Sequence, residues 1–339
     1  NAFGWIALFW KSYFVKDYPE VLVLEYGVDH PGDMDELCAL AQPDVSIVTG
    51  ISTVHAANFQ SVHALASEKA KLTQHVKEGG VIILNEDDDK VRAMEEDANE
   101  RVIKYGSRSL ENTYNNMTFD TREDAHFSSG DLFMMTSADV TIGGEERGYI
   151  ELSNMIGYAP MMAATCALTV AHKMEVDLTA GMQALKNELR PVAGRLNPIA
   201  GIKGSLIIDD SYNAAPVAMQ NGLEALKAFS LMKESSRKIA ALGQMAELGQ
   251  YTEQEHRLIG MKVAEVADVF IAVGPDMRTA VETAKEAGMY GESIEWFATS
   301  EEAGRYLDRE LQEGDVIYVK GSQSSRMEKV VKDIMADPL

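Results

Sequence analysis

Short apolar runs recur along this chain, each closed by polar residues, at spacings that leave room for one helix between them. Residues 21–24 (VLVL) stop at Glu25-Tyr26-Gly27, residues 45–48 (VSIV) run into Thr49-Gly50, and residues 81–84 (VIIL) meet Asn85 and the acidic stretch 86–89. Runs this short, rich in valine and isoleucine, fit strands buried on both faces. Between the second and third runs, Val62, Leu65, Lys69 and Leu72 fall at helical spacing and predict a helix over 61–76, ended by Gly79-Gly80. Strand, helix, strand in this rhythm predicts a parallel sheet with right-handed crossovers.

Residues 101–148 are less regular. Short β-like pieces at 132–136 and 139–142 are separated by polar turns, and GGEER at 143–147 reads as a hairpin tip. An apolar helical region is predicted over 156–174, interrupted at Gly157 and Pro160, with a second helix over 178–189. Beyond Pro191 the rhythm becomes regular: strands at 205–209, 238–242, 269–273 and 316–319, helices at 217–229, 253–267 and 277–287, and a last helix from about residue 326. The expected fold class is α/β, with a parallel-sheet unit over 1–190 and a Rossmann-like unit over 191–339. The second unit lacks a G-x-G-x-x-G fingerprint, which argues against dinucleotide binding by that route.

Composition supports two cores of ordinary size: 339 residues, 46% hydrophobic and 25% charged. A formal net charge of -22 argues against non-specific binding to nucleic acid or anionic membrane, so anionic ligands would need locally placed cations or Mg²⁺. Cys38 and Cys166 are too few for a disulfide framework or a cysteine metal cluster and fit a reducing cytoplasm. The apolar stretch 3–10 is far short of a membrane span and runs into Lys11, Lys16 and Asp17, so membrane insertion is not expected. The chain begins at Asn1 without methionine, which suggests a fragment or a processed product; it is expected to act as a monomer.

The densest candidate chemistry lies in GSLIIDDSYNAAP, residues 204–216, where Asp209, Asp210, Ser211, Tyr212 and Asn213 follow an apolar strand at once. In an open α/β sheet the carboxyl ends of strands are where ligands bind. The same residues also make an ordinary turn and cap before the helix over 217–229. In the first unit Glu25 and His55 are types that ligate a divalent cation, whereas lysine as ammonium cannot. On residue type alone His55 reads as a loop histidine and Lys69 as a solvated helix face.

DDSYNAAP resembles the segment that opens the C-terminal domain of the Mur ligases, whose family form is DDSYNANP. Four further segments are similar to that family in the same order: LEYGVDHPGDMDEL (24–37), VTGISTVHAANFQSVHALASEKAKL (48–72), ALGQMAELGQYTEQEH (241–256) and VKGSQSSRMEKVV (319–331). PVAGR (191–195) resembles the family's hinge sequence, and ILNEDDD (83–89) its N-x-DD element, read here as mainly structural. The likeness is nearest to the branch that joins D-alanyl-D-alanine to UDP-N-acetylmuramoyl-tripeptide, with ATP, in peptidoglycan precursor synthesis for the cell wall. The resemblance implies a set of roles. Glu25, His55 and Lys69, the last carried as a carbamate, would hold Mg²⁺. Arg195 would lie near the ATP phosphates, Asp210 at the ribose, and Tyr212 and Asn213 in the nucleotide-facing loop. Lys320, Ser322 and Arg326 would orient the dipeptide. Closure of the second unit onto the first about Gly194-Arg195 would exclude water.

The chain also departs from the family pattern. Ala159-Pro160 stands where the family has His-Asn near the adenine, Gln244 replaces an aspartate, and Gln323 stands where an arginine is common. No Gly-Lys dipeptide occurs in the 339 residues, so the G-x-x-G-K-[ST] phosphate loop is missing, and so is the family's N-terminal nucleotide domain. Two alternatives are a non-catalytic binding or scaffold protein of the same family and a related ligase with another amino-acid substrate, such as folylpolyglutamate synthetase.

Overall fold

Where apolar runs alternate with helices in the first half of the chain, a six-stranded sheet forms. The computed structural model describes residues 19–52, 58–59, 61–107, 117–124, 135–142, 145–229 and 235–336. Helix α1 (Asp33–Leu40) leads to β1 (Val45–Val48), α2 (Val62–Gln74), β2 (Val81–Asn85), the single turn α3 (Asp89–Arg92) and β3 (Arg101–Gly106). Ser61 caps α2 by accepting the Ala64 N–H, as its place before the apolar-periodic stretch suggests. Three longer strands follow, β4 (Met117–Asp124), β5 (Met135–Ile142) and β6 (Glu145–Ser153), then α4 (Tyr158–Lys173) and α5 (Leu178–Glu188). The sheet order is β1-β2-β3-β4-β5-β6, parallel through β4 and antiparallel from there to β6. One face packs Val81, Ile83, Ile103 and Ile150 against Met161, Ala164 and Leu168 of α4; the other packs Ile82 and Leu84 against Ala66, Val91 and Met94.

The second half builds β7 (Asn197–Ala200), β8 (Leu206–Asp210), α6 (Pro216–Ala228), β9 (Lys238–Gly243), α7 (Thr252–Val266), β10 (Val269–Val273) and α8 (Met277–Glu286). It continues with β11 (Ile294–Phe297), α9 (Ser300–Glu310), β12 (Val316–Lys320) and α10 (Glu328–Ile334). The sheet order is β11-β10-β9-β12-β8-β7, all parallel except β7. Alternation along the central strands sends Ile208 and Tyr318 to the face covered by α6, α7 and α8, and Ile207, Ile317 and Val319 to the face covered by α9 and α10. Tyr318 is fully buried and passes α6 at Gly222, where a Cβ would stand 2.0 Å from the phenol oxygen. Ile156, just before α4, packs into the core of this second sheet. No helix among the described residues is long and apolar enough to cross a membrane.

Several expectations need correction. Residues 21–24 form no strand, and all four side chains are about half exposed or more, Val23 reaching 88%. They have the β-prone composition but no ladder partner, and β1 is the sheet's outer strand among the described residues. Pro160 does not interrupt α4: it sits in the first turn, where its missing N–H costs no helical bond. The irregular region is instead the extended hairpin β5–β6 with β4 beside it, and of its expected tip residues 143–144 lie outside the described residues.

Candidate functional site

Two sheet edges collect the polar residues singled out above. At the second, register places Asp210 of β8 directly beside Lys320 of β12, and both side chains fall on the face toward α6. Lys320 Nζ donates to Asp210 Oδ2 at 2.6 Å, the Tyr318 hydroxyl donates to the same oxygen at 3.0 Å, and the Leu196 N–H donates to Oδ1 at 3.2 Å. Asp210 is 7% exposed and Lys320 3%. Burial dominates both groups: it raises the Asp210 carboxyl above the usual carboxylate range and lowers Lys320 below an ordinary lysine, despite their mutual attraction. The carboxylate expected at a ribose therefore points inward in this structure.

The neighbouring Asp209 is also spent internally. Its Oδ1 accepts from the Ser211 N–H and hydroxyl, and its Oδ2 accepts from the Gly194 N–H at 3.0 Å. Gly194 has φ 73, and a Cβ there would meet Tyr212 at 3.1 Å; its carbonyl accepts the Tyr212 N–H. The PVAGR segment is thus fastened to the end of β8, and the exposed Arg195 guanidinium lies over the Tyr212 ring, 4.6 Å from its centroid. Tyr212 and Asn213 face solvent.

The turn after β12 is held against the turn after β9. The Ser322 N–H donates to the Gln244 carbonyl at 3.0 Å, Ser325 Oγ donates to the same carbonyl, and the 2% exposed Ser322 hydroxyl lies 2.9 Å from Ser324 Oγ. Arg326 is exposed, has φ 53 and pairs with Glu328 at 3.2 Å. Gln244, in the place of the usual aspartate, uses Oε1 to accept the Asp276 N–H ahead of α8. His256 is fully buried: Nδ1 lies 2.7 Å from the Thr252 carbonyl and Nε2 accepts the Met245 N–H at 3.1 Å. It is a neutral imidazole tying α7 to the turn after β9, and burial lowers its pKa.

Around the first sheet the arrangement is looser. Glu25 is exposed in the irregular segment before α1, and His55 lies outside the described residues. Lys69 is half-buried on α2; burial lowers its pKa against the opposing pull of the Asp88 carboxylate, and it has no hydrogen-bond or ion-pair partner among the described residues. Its neighbour Glu68 accepts from the Gly32 and Met34 N–H groups at 2.9 and 3.0 Å and pairs with Lys71. That carboxylate pins the turn after Glu25 to the helix that carries Lys69. The acidic run after β2 is largely structural: Asp88 accepts the Ile51 N–H and caps α3, and Asn85 Nδ2 donates to the Thr49 carbonyl, together fixing the segment that leads toward His55. Asp87 accepts from Ser107 and from the Tyr158 hydroxyl, so beside Ala159-Pro160 it is Tyr158 that meets the acidic run. Among the described residues no group of three or more His, Cys, Asp or Glu could hold a metal.

Two connected α/β sheets, the second doubly wound with its acid–amine pair at the carboxyl edge, define a two-part α/β protein whose polar residues gather at the strand ends. Family models for the Mur ligase middle domain and the Mur ligase glutamate ligase domain match residues 11–161 and 194–323, and the chain belongs to the Mur ligase family. It is 30% identical over 324 residues to the UDP-N-acetylmuramoyl-tripeptide–D-alanyl-D-alanine ligase of Mycobacterium leprae, covering 90% of this chain and 61% of that protein. To the enzyme of the same name from Mycobacterium tuberculosis H37Rv it is 27% identical over 334 residues, covering 94% and 63%. It spans less than two thirds of the length of these relatives. A crystal structure of the MurF ligase from Thermotoga maritima in complex with ADP shares the fold, with TM-score 0.76, 24% identity, and 94% of this chain and 68% of that one covered.

Proposed function

We propose that this chain is the ATP- and dipeptide-handling part of a cytoplasmic ligase that joins D-alanyl-D-alanine to UDP-N-acetylmuramoyl-tripeptide. The observation that carries the reading is the meeting of two family-like motifs at one sheet edge, where Asp210 of DDSYNAAP touches Lys320 of VKGSQ across 110 residues of sequence. The names of the curated relatives support the choice of substrates. A division into units at 190/191 belongs to the same proposal.

In the proposed reaction a tripeptide carboxylate oxygen attacks the γ-phosphorus of ATP and ADP leaves. The dipeptide amine then attacks the acyl phosphate, an amide bond forms and inorganic phosphate departs. Arg195, already stacked on Tyr212, would meet phosphate charge, and the exposed Tyr212 and Asn213 would line the nucleotide. Asp210 would reach a ribose only by giving up part of its inward contacts. Lys320, Ser322 and Arg326 would orient the dipeptide carboxylate. Residues 194–196 would travel with the second sheet on closure, because Asp209 and Asp210 hold them there.

Glu25, His55 and a carbamate on Lys69 would hold Mg²⁺. The donor set fits: a neutral amine adds carbon dioxide and loses a proton to give an anionic two-oxygen ligand, and burial already biases Lys69 toward the neutral form. When bound, the ion supplies positive charge against the phosphates. Phosphate release from ATP by the full-length protein that carries this chain, measured with Mg²⁺, bicarbonate and UDP-N-acetylmuramoyl-tripeptide, tests the reading. Release that depends on D-alanyl-D-alanine is expected; its absence from the complete mixture overturns the proposal.

A further inference from the structure

We propose that Ile156 is a second joint between the two halves of the molecule, so that they turn on one another about a line from Ile156 to residues 190–191 and do not swing freely on a single linker. The inference stands apart from the ligase reading, since it needs only the two cores. It starts from two successive side chains that go to different places: Met155 is buried in the core of the first sheet and Ile156, 6% exposed, in the core of the second. The chain divides between the cores at one peptide bond.

Backbone geometry holds that division. Asn154 and Gly157, at φ 55 and 77, turn the chain sharply on either side of the pair. Toward the first sheet, Thr136 of β5 donates its hydroxyl to the Met155 carbonyl at 2.7 Å, and Tyr158, the first residue of α4, donates to Asp87. Toward the second, Gly157 comes so near α6 that a Cβ would stand 3.2 Å from the Ala225 methyl, and Ile156 enters the core that Leu196, Leu206, Met219 and Leu223 share. Helix α4 then leads away, and α5 packs against it on the way back, as in a helical hairpin.

The covalent link that follows is short. Arg190 folds back onto the end of α5, donating to the Leu189 and Asn187 carbonyls at 2.8 and 2.6 Å. From Val192 onward the chain is fastened to the second sheet: the Arg195 N–H donates to the Val192 carbonyl at 3.0 Å, and Asp209 accepts the Gly194 N–H. Arg190 and Pro191 are left between the two anchorages, and the proline ring fixes its own φ. Domains joined by one linker move freely unless an interface restrains them. A second attachment leaves only rotation about the line joining the two.

The test is a distance distribution between the halves, measured by pulsed dipolar spectroscopy on the full-length protein that carries this chain. Spin labels are placed at the exposed positions Glu78 and Glu286, one beside each sheet. Ile156→Ala removes the joint, and Ile259→Ala is its control: Ile259, on α7, is buried in the same second core and loses the same atoms. Both variants lose stability through the cavity they leave, so a lower melting point decides nothing between them. The expected result is a distribution widened about twofold or more in Ile156→Ala, with that of Ile259→Ala as narrow as the parent's. Equal widths in Ile156→Ala and the parent, or equal widening in both variants, overturn the proposal. If Ile156→Ala does not fold, Gly157→Ala decides by the same measure, because it leaves both cores filled and sets a methyl between α4 and α6. None of these changes touches a residue assigned to the ligase reaction, so the outcome leaves that reading standing.

Discussion

Two polar regions of this molecule are built in opposite ways. At the carboxyl edge of the second sheet the buried groups are spent on one another: Asp209 on Gly194 and Ser211, Asp210 on Lys320, Tyr318 and Leu196, His256 on Thr252 and Met245. Beside the first sheet, Lys69 is desolvated without a hydrogen-bonded partner among the described residues, and Glu25 stands in solvent. The first arrangement is hydrogen-bonded within itself without any ligand. Buried groups bonded to one another and a desolvated lysine thus lie in different halves of the chain.

The largest expected effect tests the incomplete half. Lys69→Ala should lower dipeptide-dependent phosphate release by about 10²-fold or more, the scale of removing a preorganised electrostatic group, with no loss of thermal stability. A melting point that falls with activity would show that Lys69 serves the fold and would erase the contrast. The complete half predicts the reverse pattern. Asp209→Ala strands the Gly194 N–H and the Ser211 hydroxyl in a buried setting and should cost about 3 kcal/mol of unfolding free energy, read by urea titration. An unchanged midpoint would mean that the edge is not internally braced.

His256 gives the smallest effect and sharpens the comparison by its sign. Its folded pKa lies below the unfolded value of about 6.5, so between the two the unfolded chain binds more protons. The stability it contributes is present above the unfolded pKa and is lost as pH falls through the folded one. Unfolding free energies measured from about pH 8 downward past 6.5 should therefore decline more steeply in the parent protein than in His256→Gln. Parallel curves would remove His256 from the set of internally satisfied groups.

What the sequence made legible follows from range. Strands β8, β9, β10 and β12 are short valine-, isoleucine- and alanine-rich runs bounded by polar turns, and they lie within a residue or two of their expected limits. Strand β11 and helix α9 were not anticipated, although Thr299 and Glu302 form a capping box whose spacing was there to read. The run 21–24 shows the opposite failure, since β-propensity describes side chains and says nothing about whether a neighbouring strand exists. At the site, residue types were readable and burial was not. Asp210 looks like a solvent-facing turn residue until the sheet order brings Lys320 beside it, and Pro160 looks like a helix breaker until the helix is seen to begin two residues earlier.

The sheet order also bears on how the protein is made. Strand β12 sits between β8 and β9, yet among the described strands of this sheet it is the last to be synthesised, and its contact with β8 closes a loop of 110 residues. Until it emerges, β8 and β9 cannot join into one sheet, and both expose ladder edges that invite wrong pairing. Synthesis of this half is therefore committed late, and a ribosome that stalls before Val316 releases two unconnected pieces of sheet with the central strand missing.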